Sequence, residues 1–189
     1  IIDGFFHGGY SDFVIPVGYL GSKIRTYFKG KKYSTEEHEN LMIVVGDGCR
    51  FTIVNTGQST LTGGRLLRLK EYLTKPFMMT YGDGLCNINP SFVERLGVSS
   101  NKNVVTAVHP TPRFGAIRVS PDGKVTAFSE KSVDPDEWIN GGFMYLKPSV
   151  LNYIRDDACN LETDVMPKLV WDESLMAFTY AGKWIGIDT

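Results

Sequence analysis

An aspartate flanked by two glycines at the end of an apolar run is the first place where this chain could do chemistry. Residues 76–84 read Pro-Phe-Met-Met-Thr-Tyr-Gly-Asp-Gly, a strand-length apolar segment running into a Gly-Asp-Gly turn. In an open α/β sheet, ligands occupy the crevice beyond the carboxyl ends of the strands, and Asp83 is expected there. Gly82 and Gly84 would let a bulky ligand come close to the backbone. A carboxylate so placed suits Mg²⁺, which is usually held by one or two carboxylates together with substrate phosphates. An ordinary turn accounts for the same tripeptide. A second copy, Gly46-Asp47-Gly48, separates two strand-like runs, residues 41–45 and 51–54, and is fully explained as a hairpin turn.

Residues 55–65, Asn-Thr-Gly-Gln-Ser-Thr-Leu-Thr-Gly-Gly-Arg, lead from a strand end into a helix over 66–73. A Thr/Gly-rich loop at a helix N-terminus offers backbone N–H groups and a favourable dipole to an anion or a nucleobase edge. Arg65 beside it suits phosphate. Thr62 as an N-cap and the glycines as a tight turn explain the loop equally well. Glu130 and Lys131 follow a predicted strand and are either a solvated surface pair or, beyond the strand end, a sugar-hydroxyl acceptor and a phosphate-binding cation. Asn140-Gly141-Gly142 opens another strand, 138–146.

The elements that must position these residues alternate. Helical spacing covers residues 1–6 and ends at Gly8-Gly9; a buried strand is expected over 13–17 and a helix carrying Ile24, Tyr27 and Phe28. The lysine- and glutamate-rich stretch 29–40 reads as a solvated loop. Asn89-Pro90-Ser91 starts a helix through Leu96, and 104–108 is a β-branched strand. Residues 116–119 and 124–128 pair as a hairpin about Pro121-Asp122-Gly123. A short helix (148–154), a helix weakened by Pro167 (161–171) and strands at 175–180 and 183–187 complete the chain. Alternating strands and helices followed by hairpins predict an α/β fold, a mostly parallel mixed sheet with antiparallel additions, in one domain over 1–189.

Composition narrows the function. With 42% hydrophobic and 22% charged residues the chain is globular rather than disordered, and a net charge of −1 argues against a nucleic-acid surface. No apolar run is long enough to span a bilayer. Cys49, Cys86 and Cys159 lack metal-ligand spacing and an even count, which fits a reducing, cytoplasmic setting.

The motifs in order are Gly18-Tyr-Leu-Gly21, Thr56-Gly-Gln-Ser-Thr-Leu-Thr-Gly-Gly-Arg65, Thr80-Tyr-Gly-Asp-Gly84, Arg113-Phe-Gly115, Ser129-Glu-Lys131, Ile139-Asn-Gly-Gly-Phe143 and Trp184-Ile-Gly-Ile-Asp188-Thr189. With this set the chain resembles the sugar-1-phosphate nucleotidylyltransferases, and its Thr-Gly-Gly-Arg loop is similar to the glucose-1-phosphate cytidylyltransferase branch. The resemblance implies the Rossmann-like nucleotide-diphospho-sugar transferase fold with helices on both sheet faces. It also implies attack of α-D-glucose 1-phosphate on CTP, giving CDP-glucose and pyrophosphate, in cytoplasmic nucleotide-sugar supply such as that for O-antigen. By the same resemblance Asp83 and Asp188 would hold Mg²⁺, with Asp83 and Lys131 catalytic. Thr60, Thr62, Gly64, Arg65 and Gly82 would bind the nucleotide, and Glu130, Lys131, Asn140, Gly141 and Gly142 the sugar phosphate. The family's opening strand and Gly-Gly-x-Gly-Thr-Arg loop are not in these 189 residues, nor are the C-terminal helices through which it oligomerises, and Ser132 stands where the family has Pro. Residues 1–189 are therefore expected to be a piece truncated at both ends, inactive alone, and homo-oligomeric when complete. Use of dTTP, UTP or GTP, and a non-catalytic nucleotide-sugar-binding paralogue, are the alternatives. A glycosyltransferase would need an Asp-x-Asp motif, and Asp134-Pro-Asp136 lies in a polar stretch.

Overall fold

Side chains that alternate along the central strands feed two different cores, and this alternation organises the molecule. The computed structural model describes residues 1–110, 116–129 and 137–187. In strand β1 (Asp12–Val17), Phe13 and Ile15 face one apolar cluster and Val14 another. In β10 (Ile139–Leu146), Met144 and Leu146 lie on one side and Phe143 and Tyr145 on the other. A period of two with both faces apolar requires cover on both sides, and helices supply it.

The strands form two four-stranded sheets. The first runs β1, β4 (Cys49–Asn55), β3 (Leu41–Gly46), β2 (Ser34–Glu37), with β1 parallel to β4 and the rest antiparallel. Helix α1 (Ile2–His7) and helix α2 (Gly21–Lys29) lend it Ile2 and Phe28. The second runs β11 (Leu175–Tyr180), β7 (Asn103–Val108), β10, β5 (Phe77–Met79), with only β11 and β7 parallel. Helix α3 (Thr62–Arg68), the 3₁₀ turn Pro148–Tyr153, the π-helical turn Leu161–Val165 and helix α5 (Met166–Trp171) cover one face. Helix α4 (Pro90–Ser100), N-capped by Asn89, covers the other with Val93. Met144, Leu146, Leu161 and Leu169 are wholly buried; burial of each such side chain contributes ~1.5–3 kcal/mol. Two ribbons complete the fold: β6 (Gly84–Cys86) with β12 (Trp184–Gly186), and β8 (Ala116–Val119) with β9 (Val125–Ser129), the expected hairpin.

The mixed α/β class is as expected, but parallel pairing among the described strands is confined to β1–β4 and β7–β11. Local hairpins and the antiparallel return of β10 outnumber the crossovers. The stretch read as a solvated loop contains β2, an exposed edge strand whose glutamates and serine pair with β3 through the backbone alone. Ile24 and Tyr27 of α2 are exposed, and only Phe28 of the expected stripe is buried. Helix α4 runs on to Ser100, past the expected Leu96. Pro167 sits in the first turn of α5, where its missing N–H costs little, and the helix expected over 161–171 splits there into a π turn and an α turn. The Asp47-Gly48 turn joins β3 to β4 with both residues at positive φ, +51° and +75°, as a type I′ hairpin requires.

Candidate functional site

The parallel pair β1–β4 ends at Val17 and Asn55, and the chain beyond both ends is stitched together by backbone and side chain. Thr56 donates its amide to the Val17 carbonyl at 2.8 Å and its hydroxyl to the same oxygen at 3.1 Å. Arg65, from α3, donates Nη1 to the Thr56 hydroxyl at 2.6 Å and to the Gly57 carbonyl at 3.1 Å. A guanidinium thus stands at the carboxyl edge of two parallel strands, where an α/β sheet takes its ligands. Among the described residues it makes no other hydrogen bond, so Nε and Nη2 are the donors left for an anion. Thr60 is buried beside this turn.

The helix N-terminus itself is less open than the sequence implies. Leu61 N–H donates to the Asp157 carbonyl at 2.9 Å and Gly64 N–H to the Cys159 carbonyl at 3.1 Å. Gly64 is glycine because a Cβ there would lie 2.4 Å from the Asp157 oxygen. Thr62 is not the N-cap; Leu61 holds that position with no side-chain bond. The Thr62 hydroxyl instead accepts from Leu161 N–H at 2.9 Å and donates to Glu162 Oε2 at 2.8 Å. Beside it, Arg68 grips Asp157 through two nitrogens; that hydrogen bond holds the Asp157 carboxyl below the usual carboxylate range.

A second group of candidates meets at Tyr81. Its hydroxyl donates to Glu162 Oε1, and its phenol is raised above the ordinary range, first by burial and then by that hydrogen bond. Gly142 has φ +82°, and a Cβ on it would come within 2.8 Å of the Tyr81 ring. Asn140 Oδ1 accepts from Gly142 N–H at 2.9 Å. Against β7, β10 advances four residues (Asn140 to Met144) while its partner advances two (Ala107 to Val105); this bulge carries Asn140, Gly141 and Gly142. Trp184 Nε1 donates to the Gly141 carbonyl at 2.9 Å, which fastens β12 to the bulge. Gly82 and Asp83 follow Tyr81 and are exposed.

The Asp83 carboxylate forms no hydrogen bond or ion pair among the described residues, while its backbone is fixed by Ile187 N–H donating to its carbonyl at 2.7 Å. An oriented backbone with an unengaged carboxylate fits a Mg²⁺ ligand that completes its shell with substrate oxygens. No group of three or more His, Cys, Asp or Glu is arranged so that it could hold a metal ion among the described residues. Asp188, Glu130, Lys131, Asp134, Asp136 and the Arg113-Phe-Gly115 bend lie outside the described residues. The structure therefore brings Thr62, Tyr81, Gly82, Asp83 and Asn140 to Gly142 together through one residue that sequence reasoning missed, Glu162. A separate cavity of about 430 Å³ between α1 and the β6/β12 ribbon, lined by Phe5, Leu85, Ile88 and Phe143, contains none of the candidate residues.

The profile of the family described as Nucleotidyl transferase matches residues 81–187. The chain is 35% identical over 192 residues to a glucose-1-phosphate cytidylyltransferase of Salmonella typhi, covering 96% of this chain and 74% of that one. It is 34% identical over 197 residues to a probable glucose-1-phosphate cytidylyltransferase of Bacillus subtilis, with the same coverage. In fold it is similar to HddC from Yersinia pseudotuberculosis, with a TM-score of 0.66 at 16% identity over 98% of this chain and 77% of that one. Among the described residues, no helix is long and apolar enough to cross a membrane.

Proposed function

The chain belongs to the nucleotidyl transferase family, and on that premise we propose that it joins CTP to α-D-glucose 1-phosphate, giving CDP-glucose and pyrophosphate. One observation carries the choice of base and sugar: the likeness to a glucose-1-phosphate cytidylyltransferase of Salmonella typhi runs through 96% of the chain. The geometry supports the reaction class, because this chemistry needs reactants held in line more than it needs a protein nucleophile. A phosphate oxygen of the sugar phosphate bonds to the α-phosphorus of CTP as the α–β bridging bond breaks, and pyrophosphate departs with the bridging oxygen.

On the nucleotide side, Arg65, whose Nη1 is taken up by Thr56 and Gly57, would offer Nε and Nη2 to phosphate beside the buried Thr60. Thr62 and Gly64, already bonded to Glu162, Leu161 and Cys159, would shape the loop around the nucleotide, and Gly82 would allow close approach. On the sugar side, Asn140, Gly141 and Gly142 present backbone and amide groups, joined by Glu130 for hydroxyls and Lys131 for the phosphate. Asp83 and Asp188 are the residues that would hold Mg²⁺, which when bound neutralises phosphate charge. Work in the cytoplasm as a homo-oligomer, without nucleic acid or membrane partners, completes the reading.

The test is pyrophosphate release by the protein expressed from its complete gene, with glucose 1-phosphate and each of CTP, dTTP, UTP and GTP, with and without Mg²⁺. CTP at least tenfold above the others in kcat/KM is expected. A preference for another nucleotide moves the assignment to that base, and binding of a nucleotide sugar without turnover makes the chain a non-catalytic relative.

A further inference from the structure

We propose that Glu162 is a positioning residue that fixes the spacing between the nucleotide-side helix α3 and the Tyr81–Asp83 loop. The inference rests on the reaction class proposed above. Its geometry is a carboxylate shared by two hydroxyls, one from helix α3 and one from the loop that follows β5. Thr62 donates to Oε2 at 2.8 Å, and Tyr81 donates to Oε1. These donors are 100 and 81 positions away in sequence, so the carboxylate joins three distant segments.

The segment bearing Glu162 is itself held. Asn160 Oδ1 accepts from the Glu162 and Thr163 amides at 2.8 and 3.0 Å, and Leu161 N–H donates to Thr62. The turn carrying it is π-helical, a departure from α geometry often found at functional sites. Burying part of a carboxylate costs free energy that two neutral hydroxyls recover only in part, and apolar packing would serve stability as well. What apolar packing would not supply is direction. Each hydroxyl is drawn to one oxygen of a rigid planar group, so the distance between Thr62 and Tyr81 is set. Tyr81 in turn presses on Gly142 and stands two residues before Asp83. Glu162 therefore aligns the nucleotide-side, metal-side and sugar-side stretches without touching substrate.

The test uses the protein from its complete gene with Glu162→Ala, Glu162→Gln, Tyr81→Phe and Thr62→Val. Displacing a positioned group by about 1 Å costs roughly 10²-fold in rate. Glu162→Ala is expected to lower kcat by that order with KM for each substrate changed about threefold or less. Glu162→Gln, which still accepts from Tyr81, should recover to within about tenfold of the parent. Tyr81→Phe added to Glu162→Ala should cost clearly less than it costs the parent, because both remove the Tyr81–Glu162 bond and only the Tyr81–Asn140 bond is left to lose. If Glu162→Ala does not fold, Thr62→Val and Tyr81→Phe, which keep side-chain shape, carry the same comparison. A lowered melting temperature with unchanged kcat, a Gln variant as slow as the Ala variant, or fully additive losses would each overturn the proposal. If the parent turns over no nucleotide, the reaction reading fails separately. Hydrogen exchange then decides the clamp: Glu162→Ala should deprotect residues 60–66 and 80–84 together and Glu162→Gln should restore both, and deprotection of one stretch alone would refute it.

Discussion

Ile187 donates its amide to the carbonyl of Asp83 at 2.7 Å, one step beyond the Gly186–Gly84 pair that ends the β6/β12 ladder. The last described residue before Asp188 is thus bonded to the backbone of Asp83, and these two aspartates, proposed above to hold Mg²⁺, stand about a hundred residues apart in the sequence. Asp83→Asn and Asp188→Asn are expected to abolish Mg²⁺-dependent turnover. The melting temperature of Asp83→Asn should stay within about 2 °C of the parent, since no described residue bonds the Asp83 carboxylate and exposed substitutions of that kind change stability by about 0.5 kcal/mol or less. Steady-state rates across a Mg²⁺ titration check this; normal rates in either variant would remove that residue from the metal site.

Asp47, in the other Gly-Asp-Gly, should behave oppositely. Its φ of +51° is one Asn tolerates, so Asp47→Asn is expected to leave turnover unchanged. Its carboxylate accepts from the exposed Tyr33 hydroxyl, and that hydrogen bond, ahead of burial, pushes the Tyr33 phenol up to about 12 from 10. A raised folded-state pKa gives stability that is full below the unfolded value and lost as pH rises through the folded one. The parent should therefore lose a small increment of stability between about pH 10 and 12, and Asp47→Asn, which keeps an acceptor but loses the charge, should show a shallower slope. Denaturant melts from pH 9 to 12 on both proteins measure it, and identical slopes would refute the assignment.

Two glycines separate packing from ligand approach. Gly64→Ala would drive a Cβ into the Asp157 backbone, and forcing an extra methyl into a packed contact costs ~1–3 kcal/mol. In a domain of this size that lowers the melting temperature by roughly 3–10 °C. Gly82→Ala meets nothing within 4 Å, so its fold should be intact. If Gly82 lies against nucleotide, as proposed, KM for CTP should rise at least tenfold while the melt is unchanged. Thermal melts beside substrate titrations resolve the two effects, and a Gly82→Ala protein with parental KM would take Gly82 out of the site.

What the sequence made legible was local. Asp47-Gly48 between alternating apolar runs needs only its neighbours to become a hairpin, and Asn89-Pro90 needs only the next turn to cap α4. Strand β2 escaped because its pairing rests on backbone bonds to β3, which no apolar alternation announces. Thr62 looked like a cap because its true partners, Leu161 and Glu162, are about a hundred residues away. Glu162 carried no signal at all, since a glutamate in a helical stretch is commonly solvated. The parallel pairing was overestimated for a similar reason: β10 reads as one more strand, and only the assembled sheet shows that it runs against both β7 and β5.

The two sheets end at β1 and β5, each hydrogen-bonded to a strand on one side only among the described residues. Val14 of β1 and Phe77 and Met79 of β5 pack against the same apolar cluster, so the open edges border one core. An apolar edge strand presents a row of unpaired N–H and C=O groups and invites pairing with another chain. Little at these edges blunts that: β5 has no charged residue, and β1 has only Asp12 at its start and Pro16, whose missing N–H interrupts the row at one position. We expect a polypeptide of residues 1–189 alone to self-associate at micromolar concentration, to melt without cooperativity, and to form no CDP-glucose. Unpaired edges at two places in one core can forfeit much of the ~5–15 kcal/mol that holds a domain together. Light scattering, thermal melts and product assays on residues 1–189 beside the protein from its complete gene test this. A monomeric polypeptide with a sharp melt would mean that β1 and β5 tolerate exposure, and measurable turnover would place the whole of the required triphosphate site within these 189 residues.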